Sequence, residues 1–161
     1  MSLEALRQIT SSTRWRDIAE AVALRHEAPP ASEHDFGTHW IEAGRSIREQ
    51  VADDKLLCRL LRLALPKYVG GTVTLYRGEN VGRWKAGSVG LAWTPDLKVA
   101  RMFGSGLNAT ETGGVLLQGT FAPTSIISSP GAHSRYLQEE QFTVEPSLAL
   151  DLKVIEEYPP L

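Results

Sequence analysis

Thr72-Val73-Thr74-Leu75-Tyr76-Arg77, directly after Gly70-Gly71, is the stretch on which the fold turns. β-Branched and aromatic residues opened by a glycine turn predict a strand. Everything before Pro66 reads differently. From Arg14 to Leu24, Trp15, Ile18, Ala19 and Val22 recur at helical spacing, and Ser11-Ser12-Thr13 offers an N-cap. His26 to Phe36 carries Pro29-Pro30 and reads as a loop. Asp35 or Thr38 is then expected to cap a second helix bearing Trp40, Ile41, Gly44, Ile47 and Val51. A third is predicted from about Asp53 to Leu65, with Asp53-Asp54 as its start rather than a metal site. It stops at Pro66, whose ring and missing N–H break a helix.

C-terminal to the deciding strand the pattern stays short and turn-rich. A glycine-rich loop holds Trp84, and Val89-Gly90-Leu91-Ala92-Trp93 reads as a second strand. Pro95 suits the first turn of a helix capped by Thr94, which presents Leu97, Val99, Ala100 and Phe103 and ends at Gly104-Ser105-Gly106. Leu107 to Gly114 is expected to be an exposed, mobile hairpin loop. Further strands are predicted over Val115–Phe121, Ser125–Ser128, Glu140–Val144 and Leu152–Tyr158, with a loop from Ser129 to Gln138. Helices followed by strands around one internal helix indicate an α+β chain with a mostly antiparallel sheet. The expected organisation is one compact domain: a helical segment over 1–66 packed on a β-rich core over 67–161.

Composition narrows the function classes. A 161-residue chain that is 42% hydrophobic can bury a core. A net charge of -2 and a pI near 6.1 carry no overall nucleic-acid footprint. The single Cys58 lies in an apolar run and is expected to be a buried, inert thiol. His26, His34, His39 and His133 lack ligand spacing and have no partner cysteines, so no metal is expected. No apolar run is long enough to span a bilayer, and no secretory signal is visible. The expectation is a cytoplasmic protein, or one delivered into the cytoplasm of a target cell. Phosphate-cradling loops, nucleophile elbows and Cys–His arrangements are missing from the sequence.

Three short elements in fixed order remain. They are Leu75-Tyr76-Arg77-Gly78, Leu91-Ala92-Trp93-Thr94-Pro95-Asp96, and Gln138-Glu139-Glu140-Gln141-Phe142. The set resembles the arginine–serine–glutamate class of ADP-ribosyltransferases, which includes many bacterial toxins, over roughly residues 70 to 146. The resemblance implies a mostly antiparallel split β-sheet core that binds NAD as co-substrate, without metal. It implies transfer of ADP-ribose to a macromolecular acceptor, protein or nucleic acid, with an antitoxin or regulator as a further partner. The alternative is a non-catalytic NAD-binding or protein-interaction module on the same fold.

Residue by residue, the resemblance gives Arg77 the phosphates or ribose hydroxyls of NAD, through paired charge-assisted hydrogen bonds. Gly78 would allow close approach of the ligand to the backbone. Ala92-Trp93-Thr94 stands where the family has Ser-Thr-Ser, so Ala92 lacks the hydroxyl that helps hold the glutamate, while Thr94 keeps one. Trp93 either lines the nicotinamide pocket or is core. The catalytic glutamate would hydrogen-bond the ribose 2′-hydroxyl and stabilise the oxocarbenium-like transition state as nicotinamide leaves. Its companion lies two positions earlier, on the same side of the strand. Two registers stay open: Glu139 with Gln141 in the catalytic position, favoured because Gln141 directly precedes Phe142-Thr143-Val144, or Gln138 with Glu140. A Gln there binds a hydroxyl but carries no charge, which implies a weakened enzyme or a deliberately disarmed one. Arg135 and Tyr136, in the loop before this strand, would meet the acceptor.

Overall fold

The computed structural model describes residues 1–131 and 140–161. They form two compact units, one built on Met1–Lys67 and the other on most of the chain from Tyr68 onward.

The first unit is helical: α1 (Leu3–Ser11), α2 (Trp15–Arg25), α3 (Glu33–Val51) and α4 (Asp54–Ala64). Helix α1 is absent from the sequence expectation. Ser2 caps it by accepting from the Ala5 N–H at 3.2 Å, and Leu6 and Ile9 are its buried face. Ser11-Ser12-Thr13 is therefore no cap: Ser11 ends α1, Thr13 turns left-handed at φ 54°, and α2 starts without a side-chain cap. Helix α3 begins ahead of Asp35 and Thr38, because Ser32 Oγ accepts from the Asp35 N–H at 3.0 Å. Glu33 and Asp35 in that first turn suit the positive end of the helix dipole. Helix α4 starts as expected, with Asp53 Oδ1 accepting from the Leu56 N–H. Cys58 is buried there, as the apolar run implied. Trp15 meets Phe36 edge-on at 5.9 Å in the core between these helices.

The second unit contains β1 (Val73–Asn80), α5 (Val81–Lys85), β2 (Ala92–Trp93), α6 (Leu97–Ser105), β3 (Gly114–Phe121), β4 (Ile126–Ser128), β5 (Phe142–Val144) and β6 (Asp151–Tyr158). They make two three-stranded antiparallel sheets, ordered β1-β3-β6 and β2-β5-β4. Among the described residues one isolated bridge joins them: Tyr76 N–H donates to Thr94 O at 2.7 Å and Thr94 N–H to Tyr76 O at 2.9 Å. The chain is thus α+β, as the element pattern predicted. Leu75, Trp93, Val115, Leu117, Phe121, Ile126 and Val144 form the core of this unit. Enclosing a side chain the size of Phe121 contributes roughly 1.5–3 kcal/mol.

Local chemistry moved several expected boundaries. The run read as a glycine-rich loop holds α5, because Asn80 Oδ1 accepts from the Gly82 and Arg83 N–H groups. Helix α6 is capped by Asp96, not Thr94. Both backbone groups of Thr94 are spent on Tyr76, so it still belongs to extended chain, and its hydroxyl accepts from Asp96 N–H at 3.0 Å. The segment from Leu107 to Gly114 is no free loop. Asn108 Nδ2 donates to Gly78 O, Asn80 Nδ2 donates to the Asn108 and Thr110 carbonyls, and Ala109 is fully buried. Among the described residues no helix is long and apolar enough to cross a membrane.

Candidate functional site

Side chains on a strand alternate, so Leu75, Arg77 and Glu79 of β1 share one face. Leu75 enters the core, and the polar pair continues the row beside it. Glu79 has no exposed surface, and a buried carboxylate needs charged or N–H partners. It has four. Its Oε2 accepts from Arg77 Nε at 2.7 Å and from the Gly90 N–H at 2.8 Å. Its Oε1 accepts from Arg83 Nε and from the Asn80 N–H, each at 2.8 Å. Burial alone would raise this carboxyl. The Arg77 guanidinium, its hydrogen bond and the Gly90 and Asn80 N–H groups outweigh burial and hold it at about 2.

Arg77 therefore sits in a fixed frame. Its Nη1 also donates to Ala92 O at 2.8 Å, across the gap between the two sheets. Gly90 is a necessary neighbour, because a Cβ there would lie 2.2 Å from Arg77 Nη2. The side chain as a whole keeps 17% exposure.

The other sequence-predicted residues divide. The space beside Gly78, assigned above to a ligand, is taken by α6: a Cβ would stand 2.1 Å from Ala100 O and from Gly104 N. Gly78 lets helix meet strand. Trp93 is core, at 1% exposure, with its ring edge-on to Phe121 at 5.1 Å and Nε1 donating to Gly90 O. A ring so enclosed has no open face for stacking on nicotinamide, so of its two readings the core one holds. Thr94 is buried at the inter-sheet bridge.

Gln141 is half-buried and directly precedes β5. That strand pairs with β2 in the register Ala92↔Thr143 and Trp93↔Phe142. The chain around Gln141 thus lies next to the strand whose Ala92 carbonyl holds Arg77. Glu140 is exposed and left-handed, at φ 45°. A non-glycine residue in that region ends extended geometry, so the strand expected from Glu140 starts only at Phe142. Glu139, Gln138, Arg135, Tyr136 and His133 lie outside the described residues.

Glu79 and Arg83 are the members of this site that sequence reasoning missed. The Arg77-x-Glu79 spacing on a strand was a usable signal for the first. Arg83 gives no such signal, because the five residues of α5 are too few to show a helical period. Among the described residues no group of three His, Cys, Asp or Glu side chains could hold a metal ion. Comparison with protein-family models, curated proteins and solved structures finds no match to this chain.

Proposed function

We propose that this chain is a mono-ADP-ribosyltransferase in weakened form, taking NAD as co-substrate and a macromolecule as acceptor. One observation carries the reading. Three segments far apart in sequence meet on neighbouring strands: Tyr76-Arg77 against Thr94 and Ala92, and Ala92-Trp93 against Phe142-Thr143, behind Gln141. The pair of small antiparallel sheets joined at the Tyr76–Thr94 bridge supports the finer assignment of a split, ADP-ribosyltransferase-like core.

On this reading the Arg77 guanidinium binds the phosphates of NAD. Gln141 donates or accepts at the ribose 2′-hydroxyl. The bond between the ribose and nicotinamide breaks as positive charge builds on the ribose, and a carboxylate at that place would stabilise it. An amide supplies the hydrogen bond but not the charge, which is why turnover is expected to be slow. A cytoplasmic setting, or delivery into a target cell's cytoplasm, and control by an antitoxin belong to the same proposal.

The second reading is a non-catalytic NAD-binding or protein-interaction module. It is favoured by the commitment of Arg77 to Glu79, by the enclosure of Trp93 and by the missing hydroxyl at Ala92. Calorimetric titration with NAD tests what the two NAD-binding forms share. Saturable heat that disappears in Arg77→Ala is expected, and no heat from the parent chain would remove both.

A further inference from the structure

Arg77 and Arg83 hold the same carboxylate. Arg77 Nε donates to one Glu79 oxygen and Arg83 Nε to the other, so the two guanidiniums flank a single negative charge. The group as a whole carries one surplus positive charge. A buried carboxylate is neutralised by one cation, so the second is in excess of what burial demands. The surplus is not sealed away, for the Arg77 and Arg83 side chains are 17% and 34% exposed while Glu79 is fully enclosed.

Both arginines are also pinned at a second point, Arg77 Nη1 to Ala92 O and Arg83 Nη2 to Asn108 Oδ1 at 3.1 Å. Asn108 is itself fixed by donating to Gly78 O at 2.7 Å. Among the described residues, Arg77 Nη2 and Arg83 Nη1 have no hydrogen-bond acceptor. Two rigid guanidiniums side by side, each with donors to spare, suit an anion with two adjacent charged groups. Most of their ordering cost is met on folding, which favours binding.

We propose that Arg83 is the second cation of a diphosphate-binding site, with Glu79 as the positioning residue that sets Arg77 and Arg83 as a pair. The ligand class is the diphosphate of a dinucleotide, so the inference rests on the NAD reading above. It goes beyond that reading in assigning the diphosphate to two arginines rather than to Arg77 alone.

The test is titration of the parent chain, Arg83→Gln and Arg83→Lys with NAD and with inorganic pyrophosphate, at low and moderate salt, with thermal melts alongside. Arg83→Gln is expected to weaken both ligands about tenfold or more, the usual consequence of losing a charge-assisted hydrogen bond. Its affinity should also fall less steeply with salt than the parent's, while Arg83→Lys retains part of the binding. Equal affinity of parent and Arg83→Gln for NAD overturns the role of Arg83 and leaves the NAD reading standing. Pyrophosphate binding that Arg83→Gln weakens, in a parent chain that ignores NAD, supports the anion site and overturns the dinucleotide as its occupant. Should Arg83→Gln fail to fold, the drop in Arg83→Lys, judged against its melt, carries the same comparison.

Discussion

Arg77 Nε stands 2.7 Å from Glu79 Oε2, so the guanidinium expected to serve a ligand is held at its base by a neighbour on its own strand. Glu79 is wholly enclosed and takes two guanidiniums and two backbone N–H groups. The site is therefore part of the framework of this unit. Disturbing the carboxylate disturbs both the fold and the cations it positions.

Glu79→Gln keeps the shape and deletes the charge, leaving two guanidiniums around a neutral amide. Breaking a buried ion pair on one side typically costs roughly 3–5 kcal/mol. Urea unfolding should register a loss of that order. A change within experimental scatter would mean that the group contributes little to stability.

Acid should act through the same residue. The folded carboxyl sits at about 2, below its ordinary 4.5. Between those values the unfolded chain binds the proton and the folded chain does not. The stability Glu79 contributes is thus complete above about 4.5 and is lost as pH falls towards 2. Unfolding free energies across that window should slope downward with acid, and Glu79→Gln should flatten the slope.

Gly90→Ala tests the packing around Arg77. The new Cβ would start 2.2 Å from Arg77 Nη2, so the guanidinium or the Gly90 segment must shift. Overpacking of this kind costs about 1–3 kcal/mol. A lowered melting temperature together with weaker NAD binding is the expected pair of results. Unaltered values of both would show that Arg77 moves freely.

A separate pH response belongs to the helical unit. His39 is buried, with Nε2 2.6 Å from Thr10 Oγ1, which also accepts from Trp15 Nε1. Among the described residues its Nδ1 has no hydrogen-bond partner, and it lies 3.9 Å from a Glu42 carboxylate oxygen. Burial lowers the imidazole below 6.5, and the nearby Glu42 only partly offsets it. The unfolded chain therefore takes up this proton first. Stability should be full above about 6.5 and fall as pH drops below it, a trend that thermal melts of His39→Gln would lack.

Much of this architecture was legible because it rests on local chemistry. The Thr72–Arg77 run announced β1, Asp53 announced α4, and Pro66 ended it. What sequence reading missed depends on residues distant in the chain. Nothing near Gly78 announces that the backbone of Ala100 and Gly104 will fill its open side. Trp93 has the same composition cues as a pocket ring or a core ring, and only Phe121, across the fold, decides between them. Helix α1 was lost because Ser11-Ser12-Thr13 looks like the beginning of a helix rather than the end of one. The Arg77-x-Glu79 spacing was visible, yet its weight comes from Arg83, brought in by a five-residue helix too short to announce itself.

The most direct test of the proposed activity is the rate of nicotinamide release from NAD by the parent chain and by Gln141→Glu. Restoring a carboxylate where ribosyl charge develops should raise the rate on the order of 10²-fold, with NAD affinity little changed. Release by the parent chain that Gln141→Glu does not raise, but that Glu140→Ala abolishes, would move the chemistry to the other register. No release from the parent chain or from Gln141→Glu would contradict the transferase reading outright.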